Sequence, residues 1–382
     1  MLKRIMSAKY YDIGFNLTDD MFRGLYHGKK YHESDISNIL TRAYQRNVKT
    51  VLVTGSSIEE SREVIKLIQE YQSKTPINLY HTIGVHPCCV NEFVQSEVNS
   101  GINNPTNNEE MNQQLFDNMD IDHVKGKLKE LFELVQANID DSNNSLRAIG
   151  EIGLDYSRLH YSCKDLQKLL FEEQLKLSCL IKNDSIPLFL HMRNCGQDFI
   201  QILKKFIIGF LDTKDLFNLK SLVHEQDQNN SIFYKFNPNR KFVVHSFTDS
   251  LTDLKDLLNL SPNCYIGMNG ASFRETNNIE CVKYIPLDRL LLETDAPWCE
   301  IKRTHEAWKY LSDRDKENKY KLIKKDKLKN ISKEEWDDYM IKGRNEPCTM
   351  ENVAKVISNV KQLPLEKVID TVWQTSCNVY GE

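Results

Sequence analysis

Eight short apolar runs, several of them β-branched, recur along the chain, and a polar residue stands at or just past the end of each. The runs are Tyr10 to Phe15, Thr50 to Val53, Tyr80 to Val85, Leu146 to Ile149, Pro187 to Leu190, Lys241 to Val244, Cys264 to Met268 and Leu290 to Leu292. The stretches between them carry apolar residues at helical spacing, such as Ile36, Ile39, Leu40 and Ala43, or Leu166, Leu169, Leu170 and Leu177 behind Asp165. Strand followed by helix, eight times over, reads as an α/β chain folded into a (β/α)8 TIM barrel. A doubly wound open sheet uses the same alternation, but no G-x-G-x-x-G or G-x-x-x-x-G-K-[ST] follows any of these strands. We therefore expect one barrel domain over residues 1–382, with inserted loops.

Three stretches read as insertions. Residues 91–123 hold eight Asn and seven acidic residues without a Lys or Arg, which predicts a flexible loop between the third strand and its helix. Residues 213–240, rich in Asn, Asp and Lys, predict an expanded connection before the sixth strand. Residues 302–344 carry 14 Lys and Arg against nine Asp and Glu and predict a solvated helical insert. Leaving the barrel after its last strand, this insert could also guide a phosphate backbone, with Trp308, Tyr310, Tyr320 and Trp336 available for base stacking.

Charge narrows the function. Fifty basic and 54 acidic residues leave a net charge of −4, so bulk positive charge does not hold this chain to a polyanion. No run approaches the roughly 20 apolar residues of a membrane span, and the mean hydropathy of −0.51 agrees with no membrane partner. Met1 to Lys9 lacks the apolar core of a secretory signal. Ten cysteines without a C-x-x-C pair favour reduced thiols, in cytoplasm or nucleus, with a mitochondrial address ranking behind.

The residues at the strand ends are Asn16, Thr54, His86, Glu151, His191, His245, Asn269 and Asp295. In a barrel these ends meet on one face, where active sites are built. Glu151 lies between two glycines. Leu188-Phe189-Leu190-His191 and Phe242-Val243-Val244-His245 are both apolar strands that stop at a histidine. Glu293 and Asp295 follow at period two, so both aim to one side of their strand before Pro297. Inward carboxylates are costly unless a cation or proton compensates them. Glu151, His191, His245 and Asp295 together make a mixed nitrogen and oxygen site for a divalent metal.

The segments Asp12-Ile13-Gly14-Phe15-Asn16-Leu17-Thr18-Asp19, Gly84-Val85-His86-Pro87, Ile149-Gly150-Glu151-Ile152-Gly153-Leu154-Asp155, Leu190-His191-Met192-Arg193, Val244-His245-Ser246-Phe247, Glu293-Thr294-Asp295-Ala296-Pro297-Trp298 and Arg344-Asn345-Glu346-Pro347 stand in this order. The whole resembles the TatD-type metal-dependent deoxyribonucleases from about residue 9 to the C-terminus. Met21-Phe22-Arg23-Gly24 resembles the branch that contains bacterial TatD and its eukaryotic counterparts. The resemblance implies a metal-dependent hydrolase that cuts DNA phosphodiesters as a 3′-to-5′ exonuclease or an endonuclease. It places the metal on Glu151, His191, His245 and Asp295.

Many relatives carry His-x-His at the end of the first strand, where this chain has Gly14 and Asn16. Losing two imidazoles shifts the site toward hard oxygen ligands, which favours Mg²⁺, then Mn²⁺, with Zn²⁺ behind. One or two ions fit, with Glu151 the bridge if there are two. Asp12, Asn16 and Glu293 are candidates for further metal or site contacts. Asp295 is the expected proton acceptor for the attacking water, and His86, Arg193 and Arg344 are candidates to hold phosphate oxygens. A small-molecule amide or ester hydrolase on the same barrel is the alternative, although the His-x-His and bridging lysine of such sites have no counterpart here. A non-catalytic scaffold would have lost at least one ligand, and all four stand. A monomer is favoured.

Overall fold

The computed structural model of the protein describes residues 8–95, 108–141, 145–223, 231–317 and 319–382. Eight parallel strands pair in sequence order: β1 (Tyr10–Phe15), β2 (Val48–Val53), β3 (Asn78–Ile83), β4 (Leu146–Asp155), β5 (Leu188–Arg193), β6 (Phe242–His245), β7 (Cys264–Met268) and β8 (Leu290–Leu292). The two edges meet just beyond β8. Phe15 bridges Ala296, Asp295 N–H donates to Gly14 O at 2.8 Å, and Asn16 N–H donates to Ala296 O at 3.0 Å. This is the expected (β/α)8 barrel.

Strand alternation sends one set of side chains inward and the other to the helices. Tyr11, Ile13, Leu52, Ala148, Phe189, Val243, Tyr265 and Leu291 form one buried cluster together with Trp373, Val379 and Tyr380 of the C-terminal helix, Leu365–Tyr380. The Tyr11 ring lies 6.2 Å from Trp373 and 6.1 Å from Tyr380, so that helix closes the end of the barrel where β1 begins. The opposite end, where the strands finish, stays open to the polar residues.

The 91–123 stretch departs from expectation. Residues 96–107 lie outside the described part, but the rest is ordered helix: a 3-10 turn at Val90–Phe93, then α-helices Glu109–Asp117 and Ile121–Asp140. Three of the asparagines among the described residues are caps and brackets. Asn108 caps the first helix through Glu110 N, Asn91 donates to Tyr161 O at 2.8 Å, and Asn112 donates to Leu159 O and His160 O. Within 213–240 a short strand at Ile232–Tyr234 pairs antiparallel with Phe210–Asp212.

The 302–344 insert is not a solvated helix. It holds a single α-turn at Asp313–Lys316, several 3-10 turns and a parallel pair, Lys321–Ile323 with Tyr339–Ile341. Its Leu328, Trp336 and Ile341 form a small core with Tyr26, from the segment after β1. Its aromatics are therefore spent on packing: Trp336 is buried, Trp308 and Tyr310 pack on the main core, and Tyr320 donates to Arg42 O at 3.2 Å. None is a free platform for a base.

Arg344 also departs from its expected role. It is 2% exposed and locked in a four-membered ion network that ties the insert to the first helix, Ile36–Gln45. Its Nη1 and Nη2 donate to Asp35 at 2.8 and 2.5 Å, and Nη2 also donates to Glu346 Oε1 at 2.9 Å. Arg42 donates to the same Glu346 from Nε at 2.7 Å and Nη2 at 3.0 Å. Two guanidiniums and two carboxylates cancel in charge, and most of the donors are taken by these carboxylates and by the carbonyls of Trp336 and Met21, which is what lets them be buried. Arg344 is thus buried and turned to Asp35 and Glu346 rather than to a phosphate.

Removing the shared acceptor would strand both guanidiniums. Glu346→Ala is expected to lose on the order of 3–5 kcal/mol of stability in a denaturant titration, against less than about 0.5 kcal/mol for the surface change Glu334→Ala. Equal midpoints for the two variants would remove the network from the list of what holds the insert in place.

Candidate metal centre at the mouth of the barrel

Register brings the histidines together. His245 stands directly opposite His191 across the β5–β6 pair, and His191 stands opposite Gly153 of β4. The fourth strand runs on to Asp155, beyond its apolar run, so Glu151 and Asp155 both reach the mouth from one strand. Its pairing shifts between Ile149 and Ile152, and Glu151 N–H turns to Gly55 O at 3.0 Å.

One carboxylate oxygen is the focus. Glu151 Oε1 lies 2.6 Å from His245 Nε2, 2.8 Å from His191 Nδ1 and 3.4 Å from His86 Nε2. Burial alone would raise the Glu151 pKa, but the His245 charge and the imidazole hydrogen bonds outweigh it and hold this carboxyl well below its ordinary value. The same contacts act in reverse on the rings. Burial works against a charge on His191 and His245, yet the carboxylates around them raise both, His245 strongly.

His86 behaves differently. Burial lowers it to about 3, so it is neutral, and Cys88 N–H donates to its Nδ1 at 3.0 Å. An Nδ1 that accepts leaves the proton on Nε2, which therefore faces Glu151 as a donor. His86, Glu151 and His191 have ligand atoms within 4.8 Å of one another, but this tautomer makes His86 a hydrogen-bond donor rather than a metal ligand. His191 and His245 can each offer a lone pair. With the Glu151 carboxylate they form a buried nitrogen and oxygen donor set that fits a divalent cation.

Asp295 stands beside this set and not within it. Asn16 Nδ2 donates to its Oδ1 at 2.9 Å and Cys299 Sγ to its Oδ2 at 3.1 Å, while Thr54 Oγ1 holds Asn16 Oδ1 at 2.6 Å. Burial, partly opposed by the His245 charge, pushes Asp295 up to about 6. Both Ser246 and Asp295, just past their strands, occupy the left-handed backbone region, at φ of 48° and 52°. Non-glycine residues seldom adopt it outside constrained sites.

Of the further candidates, Asp12 is a brace and not a ligand. Its Oδ1 accepts from Gly14 N at 3.3 Å and Thr294 N at 2.9 Å, its Oδ2 from Thr294 Oγ1 at 2.5 Å, and burial raises it to about 7. Asn16 is likewise occupied with Asp295. Glu293 is fully buried behind His245. Arg193 is half-buried on β5, two residues past His191, and among the described residues its side chain makes no ion pair or hydrogen bond. Asp198, the partner its sequence position suggests, is taken by Tyr156, Lys164 and Lys168.

Two neighbours escaped the sequence reading. Asp155 Oδ2 lies 3.3 Å from His191 Nε2, and its signal was there: Glu151, Gly153 and Asp155 follow at period two along one strand. Cys299 carried no signal, because only the turn closed by Trp298 N–H on Asp295 O brings it back to the carboxylate.

A model of the TatD related DNase family matches residues 12–381. Deoxyribonuclease Tat-D of Saccharomyces cerevisiae is 53% identical over 387 residues, 98% of this chain and 91% of that protein. Deoxyribonuclease Tat-D of Schizosaccharomyces pombe is 33% identical, over 99% of this chain and 97% of that protein. Among solved structures, an amidohydrolase from Saccharomyces cerevisiae superposes with a TM-score of 0.89 at 51% identity, covering 98% of this chain and all of the other.

For a divalent cation held by His191 and His245, the raised pKa values of the two rings would set the pH dependence of loading. Below their pKa values the rings carry protons that a cation has to displace; above them the lone pairs are free. The affinity for Mn²⁺ is expected to be full at high pH and to fall about tenfold per pH unit, for each proton displaced, as pH drops through the histidine range. Calorimetry in buffers of different ionisation heat measures the released protons, and a heat independent of buffer would contradict the scheme.

Proposed function

From the membership of this chain in the TatD related DNase family, we propose that it is a hydrolase of ester bonds that cuts DNA phosphodiesters, as a 3′-to-5′ exonuclease, an endonuclease or both. The observation that carries the reading is the convergence of His191 and His245 on one buried Glu151 oxygen, with Asp295 beside it. A divalent cation bound there acidifies water and stabilises charge on phosphoryl oxygens. Glu151, His191 and His245 would hold it, with Asp295 beside them. Mg²⁺ is the proposed ion, ahead of Mn²⁺ and Zn²⁺, because Gly14 and Asn16 contribute no imidazole.

Asp295 accepts the proton of the attacking water. Asn16 and Cys299 each donate to one of its oxygens and so fix the plane of the carboxylate. With a pKa of about 6 it is ionised at neutral pH and basic enough to take a proton. Arg193, on the same strand as His191 and without an ion pair or hydrogen bond among the described residues, presents a guanidinium to a phosphate oxygen, whereas the Nε2–H of His86 is turned to Glu151. Trp298, 55% exposed and three residues past Asp295, is the aromatic surface available to a base.

The reading takes the chain as one catalytic domain, working as a monomer in cytoplasm or nucleus. Its ten cysteines are free thiols, and no helix among the described residues is long and apolar enough to cross a membrane. The small-molecule alternative gains nothing from the structure: Gly14, Asn16 and Glu151 stand where its own ligands would be.

The deciding experiment is release of nucleotides from 3′-labelled single-stranded DNA in EDTA, Mg²⁺, Mn²⁺ or Zn²⁺. Wild type is expected to cleave with Mg²⁺ and Mn²⁺, and Asp295→Asn to be slower by roughly 10²–10⁴-fold. A folded, metal-loaded wild type that leaves DNA intact would defeat the proposal.

A further inference from the structure

Two buried polar atoms face each other without a hydrogen bond. Glu293 Oε2 and His245 Nδ1 are 3.3 Å apart, within ion-pair distance, and among the described residues neither has a hydrogen-bond partner in good geometry. Glu293 is fully buried and His245 is 3% exposed, so water does not satisfy them. Buried polar groups without a hydrogen bond are costly.

The other half of the Glu293 carboxylate is firmly held. Oε1 accepts from Ser246 N at 2.5 Å and from Asn269 Nδ2 at 3.0 Å, and Asn269 Nδ2 also reaches Ser246 Oγ at 2.8 Å. Oε2 is thereby aimed at the imidazole. The room for it comes from two glycines: a Cβ on Gly14 would lie 2.8 Å from Oε2, and one on Gly267 3.2 Å. Gly14 is one of the two positions where many relatives carry an imidazole.

The mismatch has a chemical reading. A neutral imidazole has one N–H. Without a cation Nε2–H donates to Glu151, and the contact of Nδ1 with Glu293 Oε2 stays at ion-pair distance without hydrogen-bond geometry. Once Nε2 gives its lone pair to a cation, the proton belongs on Nδ1, where Oε2 is waiting to accept it. The chain already shows this arrangement at the neighbouring ring, since His191 has Glu151 on one nitrogen and Asp155 on the other.

We propose that Glu293 is a positioning residue of the metal centre: facing His245 Nδ1 from a pocket kept open by Gly14 and Gly267, it selects the tautomer that turns the Nε2 lone pair to the metal. It does not touch the ion. This rests on His245 being a metal ligand, as proposed above. A carboxylate behind a ligating imidazole fixes the ring and strengthens the ligand, and losing it typically weakens metal affinity by about 10–100-fold.

Glu293→Gln tests the proposal. With its carbonyl oxygen kept by Ser246 N–H and Asn269, the new amide turns its NH2 to Nδ1, which then has to accept, and the proton moves to Nε2. Mn²⁺ affinity measured without DNA is expected to fall by about 10–100-fold, with Glu293→Asp recovering part of it. In Mg²⁺-loaded wild-type protein with ¹⁵N-labelled histidine, His245 is expected to carry its proton on Nδ1. A loaded wild type protonated on Nε2, or a folded Glu293→Gln with unchanged affinity, overturns the proposal; if that variant does not fold, the wild-type tautomer decides alone. Metal bound with Nδ1 protonated in a protein that leaves DNA intact would defeat the nuclease reading and support this one. A metal-dependent nuclease protonated on Nε2 would do the reverse.

Discussion

Everything at the open end of the barrel is arranged around the Glu151 carboxylate. A buried carboxylate is stable only if charge or donors surround it, and here they come from three strand ends that are far apart in sequence: His86, His191 and His245. The burial that makes Glu151 expensive is also what makes its contacts strong. The three rings are not equivalent. Cys88 N–H commits His86 to donating, whereas carboxylates behind His191 and His245 leave those rings able to ligate.

That cluster needs a rigid frame, and the frame is the closure of the barrel. The ladder ends at Leu292, yet Asp295 and Ala296 carry on the join to Gly14, Phe15 and Asn16. Asp12 ties the same seam from within through Thr294. So the residue proposed to move a proton, Asp295, sits on the segment that seals the sheet, and its carboxylate and its backbone are fixed by the same neighbours. The ion network of Arg42, Arg344, Asp35 and Glu346 then fastens the returning insert to the first helix, beside the 3-10 turn at Asp20–Arg23 that follows β1.

Much of this was legible in the residues. Apolar runs ending in His191, His245 and Asp295 predict strands whose tips meet, because strand period and barrel closure are local rules repeated eight times. β1, β7 and β8 fall on their expected residues. Less visible were features set by contacts distant in sequence. Glycines at 150 and 153 hid the continuation of β4 to Asp155, since pairing rather than hydropathy extends it. The Asn-rich stretch has the composition of a loop, yet Asn91 and Asn112 are buried brackets whose value depends on the carbonyls of residues 159–161. Arg344 lies in a motif whose order matches the family, and a pair with neighbouring Glu346 is legible there, but nothing in the order reveals that the distant Asp35 holds it as well.

The absence of His-x-His at the end of β1 looks at first like a loss of two ligands. The structure gives both positions other work. Gly14 leaves the space that Glu293 occupies, and Asn16 links Thr54 to Asp295. Carboxylates then outnumber rings around the mouth: Glu151, Asp155, Glu293 and Asp295 against His86, His191 and His245, of which His86 is neutral. An excess of negative charge in a buried pocket attracts a compact cation that prefers oxygen, and it supports the proposed order of Mg²⁺ before Zn²⁺. It also contributes to the raised pKa of Asp295. Burial is the main cause, and the neighbouring carboxylates of Glu293 and Glu151 add to it, so Asp295 stays basic and suited to accept a proton from water.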